Sequence, residues 1–248
     1  MASRGSGGTT TVFGSRRAAF LGGMRRAMGV PAIVLASSYL GFGALVQQVG
    51  LDLWHGLFST FTGWALPGQV ALLELYAVGA SLAVMAGAVA LVNARLLPMT
   101  ITLVPLLRAP GVPRWAYYGA AHWIAVTAWA AGQRDCPLLP ERERLPYFAG
   151  MGLLLWGACH VTTAVGFLLA DSVPPYVTLG LVFVNPIYFM LVFAAEVRAR
   201  GRVLALMIGA LLGPPLYLLT PDWSLPLTGL IAGSAAVWLD RRMAAARG

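Results

Sequence analysis

The stretch of sequence that decides the fold runs from Ala77 to Leu107 and reads AVGASLAVMAGAVALVNARLLPMTITLVPLL. Arg95 is the only ionisable side chain in this apolar run. A charge near the centre of a bilayer costs roughly 2.5 to 3.5 kcal/mol on insertion scales, so such residues usually face the protein interior and serve a function. Arg95 is therefore the first candidate for a site residue.

The composition of the whole chain agrees with a membrane protein. Of its 248 residues, 58% are hydrophobic and 10% are charged, and the mean hydropathy is +0.75. These values exclude an ordinary soluble domain. All 17 basic residues are arginine, and with nine acids they give a net charge of +8. Because the arginines cluster at the ends of apolar segments, they indicate membrane topology and not binding to nucleic acid.

Apolar runs of about 20 residues predict an all-α polytopic membrane bundle of about eight transmembrane helices. The runs lie near residues 29–49, 54–76, 79–107, 115–132, 147–170, 175–196, 203–220 and 224–239. Pro98 and Pro105 interrupt the third run and the fourth is short, so a seven-span alternative stays open there.

Arginine clusters at 16–26, 134–144, 198–202 and 241–242 predict the cytoplasmic side, which makes both termini cytoplasmic. The loop with Arg108 and Arg114 breaks this alternation. The resulting organisation is a basic N-terminal segment (1–28), a single transmembrane domain (29–240) and a cytoplasmic tail (241–248).

A weak internal repeat relates two halves of the chain, residues 29–132 and 147–240. In the first, a helix with Pro67-Gly68-Gln69 follows an acidic loop; in the second, Asn185-Pro186 occupies the matching place. Proline removes a helical hydrogen bond, and freed backbone groups at membrane depth need protein or a water-filled cavity around them. The pair predicts two broken helices that line a cavity, with an ordinary proline kink as the alternative for each.

Three segments resemble the AzlC family, the large subunit of branched-chain amino-acid exporters. They are Gly41-Phe42-Gly43, the helix from Ser59 to Gln69, and Val92-Asn93-Ala94-Arg95. The resemblance implies a bacterial inner-membrane permease that exports hydrophobic amino acids together with a small AzlD-like membrane subunit. The chain departs from the family at Leu96, where histidine is usual, and in 123–129, where no acid occurs.

By position, the resemblance assigns substrate binding to Gln69, Asn93 and Arg95. Arg95 is expected to pair with the carboxylate of an amino acid, because a guanidinium matches a planar oxyanion. Asn185 adds a neutral hydrogen-bonding group, and Glu74 either takes the ammonium or balances Arg95. The predicted helix breaks at the cavity are at Pro67, Gly68 and Pro186.

Other functions are weighed against transport. Neither H-E-x-x-H nor G-x-S-x-G occurs, so we expect no enzyme, catalytic residue, metal or cofactor. His122 and His160 are expected to hydrogen-bond to neighbours and not to form a proton relay. A non-transporting membrane subunit or assembly factor, and a permease for a different small organic substrate, remain alternatives.

Overall fold

A computed structural model describes residues 12–172, 174–195, 200–219 and 224–245. Within these residues all regular structure is helical, which confirms the predicted all-α class. The α-helices in chain order are α1 (Arg16–Ala27), α2 (Val30–Gln48), α3 (Leu53–Thr62), α4 (Leu66–Ala77), α5 (Leu82–Asn93), α6 (Leu96–Leu107), α7 (Arg114–His122), α8 (Val126–Asp135), α9 (Glu141–Leu168), α10 (Pro175–Ala195), α11 (Arg200–Leu219) and α12 (Ser224–Ala245). The chain forms two compact units, 1–185 and 186–248.

The centre of the first unit is the packing of α1 and α2 along α9. Gly23 of α1 lies against the backbone of Tyr147, and Gly43 of α2 lies against that of Thr163. The contact on α9 shifts from Tyr147 to Thr163 as the chain passes from α1 to α2. The segment made of α1 and α2 therefore follows α9 in the same direction. The N-terminal segment therefore contributes a helix to the core, where Ala19 is fully buried.

Each of these contacts is reciprocal. Gly150 of α9 faces Phe20, and Gly166 of α9 faces Leu40. A Cβ on Gly166 would lie 2.7 Å from the carbonyl carbon of Leu40, so the helices approach backbone to backbone. Close glycine contacts from both sides therefore hold α1 and α2 against α9.

The predicted span 54–76 is not one helix but two, α3 and α4, with 10 and 12 residues. A 10-residue helix is about 15 Å long, half the thickness of the hydrocarbon core. α3 runs against α9, since Gly56 lies near Thr163 and Phe61 near Trp156. The chain breaks at 63–65, between α3 and α4.

Helices α5 and α6 form a pair bent by 46° at Ala94-Arg95. The end of α6 lies beside the start of α9, because Nη1 of Arg144 donates to the carbonyl of Leu106 over 3.3 Å. α4 packs antiparallel to α5, with Gly68 facing Asn93. α5 and α6 together run toward the side where α9 begins. Because α4 is antiparallel to α5, it runs the opposite way, back toward the side where α3 begins.

The predicted span 115–132 is a second hairpin of short helices, α7 and α8, with 9 and 10 residues. Its tip, at Trp123, lies against Gly152 near the middle of α9. Both of its ends lie near the start of α9: Arg114 lines a cleft with Arg144, and Asp135 accepts a hydrogen bond from Tyr147. The loop containing Arg108 and Arg114 is therefore on the same side as Arg144, which removes the exception to the arginine pattern.

The structure thus does not confirm a bundle of about eight transmembrane helices, because the predicted spans at 54–76 and 115–132 are each formed by two short helices. Among the described residues, α2 and α9 are long and apolar enough to cross a bilayer, and the bent pair α5 and α6 is a third if it forms one span. Hydropathy alone did not separate a continuous span from two short apolar helices.

The second predicted helix break stays a prediction. The assigned helix α10 contains Asn185 and Pro186, but the side chains of these two residues lie outside the described part of the structure. In the second unit α11 packs on α12, with Gly209 close to Ala232.

Candidate functional site

Gln69 is the centre of a buried hydrogen-bonded group at the start of α4. Its Oε1 accepts from the hydroxyl of Tyr39 over 2.8 Å, and its Nε2 donates to the hydroxyls of Ser59 and Thr60, each over 3.0 Å. The amide therefore uses both of its hydrogens and one oxygen lone pair. Gln69 joins α2, α3 and α4 at the place where the first hairpin turns.

The local sequence explains this turn. α4 begins at Leu66, and Pro67 occupies its first turn, where a missing N–H is tolerated and the fixed φ suits a helix. The predicted break is therefore present, directly before Pro67. Gly68 follows because a Cβ there would lie 2.6 Å from Oδ1 of Asn93.

Asn93 is the last residue of α5, and its Oδ1 is buried without a hydrogen-bond partner among the described residues. An unsatisfied buried acceptor costs about 1–3 kcal/mol. Such a cost is maintained in native proteins mainly where a ligand or water completes the bonding. The atom thus marks a place where a donor from outside the chain would be stabilised.

Arg95 lies at the bend between α5 and α6, directly before the first residue of α6. Its side chain is exposed, and Tyr39 lies within electrostatic range of its guanidinium. Within the described residues no ion pair joins it to Glu74, which is exposed on α4. The alternative of a buried Arg95–Glu74 bridge is therefore not supported.

The structure brings three of the five predicted binding residues together: Gln69, Asn93 and Arg95. Glu74 lies farther along α4 and faces away from the buried group, and the side chain of Asn185 is not described. Sequence reasoning missed Tyr39, whose hydroxyl is the partner of Gln69. Its only signal was a hydroxyl-bearing ring in an apolar helix, directly before the Gly41-Phe42-Gly43 segment.

A cluster of aromatic rings lies where the tips of the two hairpins meet. Phe61 of α3 contacts His122 of α7, with ring centroids 6.3 Å apart, and Trp156 of α9 at 5.2 Å. The tilted rings of His160 and Trp156 have centroids 4.2 Å apart, and His160 donates through Nδ1 to the Trp156 carbonyl over 2.8 Å. The expectation of a hydrogen-bonded histidine is confirmed for His160. Its Nε2 is buried without a partner in the described part of the chain.

Asp135 joins three helices at the arginine-rich end of the unit. Its carboxylate accepts hydrogen bonds from Arg26 at 3.1 Å, Arg134 at 2.8 Å and Tyr147 at 2.9 Å. Burial acts to raise the pKa of Asp135, but the bonds from Arg134, Tyr147 and Arg26 outweigh burial and lower it. The nearby Cys136 thiol is free, and burial raises its pKa to about 12, so it is unreactive at neutral pH.

Long apolar helices, paired half-length helices and polar side chains gathered at their tips define a membrane protein related to transport. The family model described as AzlC protein matches residues 31–173, more than half of the chain. The chain therefore belongs to the AzlC family, which is associated with transport and not with catalysis. No curated protein and no solved structure matches the chain.

Proposed function

We propose that this protein exports branched-chain or other hydrophobic amino acids as the large subunit of a two-component permease. The observation that carries the proposal is the Oδ1 of Asn93, which is buried and has no hydrogen-bond partner among the described residues, two positions before the exposed Arg95 at the bend between α5 and α6. One accepts a hydrogen bond and the other carries a positive charge. A free amino acid supplies the matching groups, an ammonium and a carboxylate.

In the proposed complex the carboxylate lies between Arg95 and the N-terminus of α4. Arg95 offers two parallel N–H donors. The N-terminus of α4 adds the positive end of a helix dipole, with no side-chain cap hydrogen bond at Ala65. The ammonium donates to Oδ1 of Asn93, which removes the cost of the unpaired oxygen.

The apolar side chain of the substrate is proposed to face the aromatic cluster. Phe61 directly follows Thr60, which bonds to Gln69, so the two groups are neighbours on α3. Gln69 itself acts as a positioning residue, since its amide hydrogens are already engaged. Binding roles for Glu74 and Asn185 remain predictions.

Export of labelled leucine from cells that carry the protein tests the proposal. Arg95→Ala and Asn93→Leu should each reduce export at least about tenfold, the effect of losing about 1.4 kcal/mol of binding. Arg142→Ala is the matched control, because Arg142 is an exposed arginine in the first turn of α9. If Arg95→Ala is present in the membrane in normal amounts and exports leucine at the wild-type rate, Arg95 does not bind the substrate carboxylate.

The small AzlD-like partner and the location in the bacterial inner membrane, with cytoplasmic termini, belong to the same proposal. Support for the orientation comes from Arg108, Arg114, Arg134 and Arg144, which all lie near the start of α9. Co-expression with a small AzlD-like membrane protein, followed by purification through a tag on either chain, tests the partnership. Full export by this chain alone in proteoliposomes would refute it.

A further inference from the structure

A cleft of about 1110 Å³ opens between α6, α7 and the first turn of α9. Its charged walls come from three arginines, Arg108, Arg114 and Arg144, and one acid, Glu141. The remaining walls are apolar or aromatic and include Ile101, Val104 and Tyr118. One end of the cleft is therefore cationic, and the other continues along the apolar surface of α6.

The cationic end is built in advance. The Tyr117 hydroxyl accepts from the backbone N–H of Ala109 over 3.0 Å and fixes the loop that follows α6. This loop turns at Gly111, whose φ of +76° favours glycine. Arg144 is held by the carbonyls of Leu139 at 2.8 Å and Leu106 at 3.3 Å. Because the loop and the side chain of Arg144 are already held in place, an anion would bind with little further loss of conformational entropy.

Two of the three guanidiniums are uncommitted. No hydrogen bond or ion pair engages the side chain of Arg108 or Arg114 among the described residues, and both are exposed. Unpaired guanidiniums that converge on one cleft favour a phosphate, which accepts two parallel N–H bonds from each. A single carboxylate, Glu141, leaves the lining with a net charge of +2.

The surroundings favour a phosphate that is attached to an acyl chain. Trp115 and Tyr118 are more than 70% exposed beside the cleft, as aromatic side chains at a membrane surface often are. Ile101 on α6 is 63% exposed below the arginines. A soluble anion would leave this apolar wall in contact with water, whereas a lipid chain covers it.

We propose that this cleft binds the headgroup of an anionic phospholipid, with Arg108, Arg114 and Arg144 on the phosphate and an acyl chain along Ile101 and Val104. The site is separate from Asn93 and Arg95, and the proposal does not depend on the transported substrate. It also gives a function to the arginines of the loop that breaks the predicted alternation of arginine clusters.

Native mass spectrometry of the full chain in detergent tests the proposal. The chain is titrated with phosphatidylglycerol, and phosphatidylcholine with the same acyl chains is the comparison lipid. Wild-type protein should bind phosphatidylglycerol at least about tenfold more tightly, and Arg108→Gln with Arg114→Gln should abolish most of this preference. Equal binding of the two lipids by the wild type would overturn the site.

The matched control is the double variant Arg25→Gln and Arg142→Gln. It removes the same charge from exposed arginines that do not line the cleft. It should keep the preference for phosphatidylglycerol; losing it equally would reduce the effect to general surface charge and refute a specific site. Inorganic phosphate is titrated as competitor, and displacement of the lipid at comparable concentration would refute the lipid as occupant.

Discussion

The hydrogen bond between Tyr39 and Gln69 offers the sharpest test of the buried polar group. Tyr39 is 1% exposed and donates to Oε1 of Gln69. Tyr39→Phe removes one bond, which should cost about 1 kcal/mol of unfolding free energy, or about 0.6 kcal/mol by the average in membrane proteins. Gln69→Leu removes three bonds and should cost about 2–3 kcal/mol, part of it from the stranded Tyr39 hydroxyl.

Ser59 and Thr60 limit this second loss. Each hydroxyl also donates to the carbonyl of Gly56 over 2.9 Å, so neither is left without a partner when Gln69 becomes leucine. In the Gln69→Leu background, Tyr39→Phe removes an unsatisfied group. Its cost there should fall to zero or become a gain, which gives a coupling energy of about 1 kcal/mol.

Reversible unfolding in mixed micelles, followed by tryptophan fluorescence, measures the four proteins of this cycle. Tyr76→Phe is the control, because Tyr76 lies exposed near the end of α4 and should lose less than about 0.5 kcal/mol. If Tyr39→Phe costs the same with and without Gln69, the two side chains do not interact and the reasoning fails. A coupled pair with unchanged export kinetics would assign Gln69 a structural role alone.

Three further predictions follow from glycine contacts and from one carboxylate. Gly166→Ala should destabilise the protein by about 1–3 kcal/mol, because its Cβ overlaps the backbone of Leu40. Gly157→Ala on the same helix is the control. Its Cβ meets nothing within 4 Å, so this variant should be neutral or stabilising in a thermal melt. Equal melting temperatures of the two variants would contradict the close packing of α2 and α9. Gly68→Ala should lower leucine export, because its Cβ displaces the end of the Asn93 side chain. Since only this side-chain end has to move, stability should change by less than about 1 kcal/mol. Normal export by this variant would show that Asn93 does not bind the substrate. The pKa of Asp135 is lowered, so its carboxylate stabilises the fold above the usual carboxyl pKa of about 3.9 and loses this effect as pH falls through the lower folded value. The difference in melting temperature between wild type and Asp135→Asn should therefore shrink below about pH 4, and a difference that grows with acid would show the opposite sign.

Particular residues show how far sequence reasoning reaches. Asn93 and Arg95 could be selected because a polar pair in an apolar run is costly, and Pro67 because it cannot continue a helix. Tyr39 could not be selected, since its partner is 30 residues away on another helix. Pro186 was selected by the same rule as Pro67, and its break stays a prediction because its side chain lies outside the described residues.

The sequence by itself determined that the protein is helical, apolar and interrupted at Pro67, because length, hydropathy and proline act locally. Only the tertiary structure decided which apolar runs form one continuous helix and which form two short ones. A run of about 20 apolar residues has the same composition as a single span or as two half-length helices. The choice depends on contacts between distant residues, such as Trp123 on Gly152 and Arg144 on the carbonyl of Leu106. Those contacts also place Arg108 and Arg114 on the same side as Arg144, which no local sequence pattern predicts.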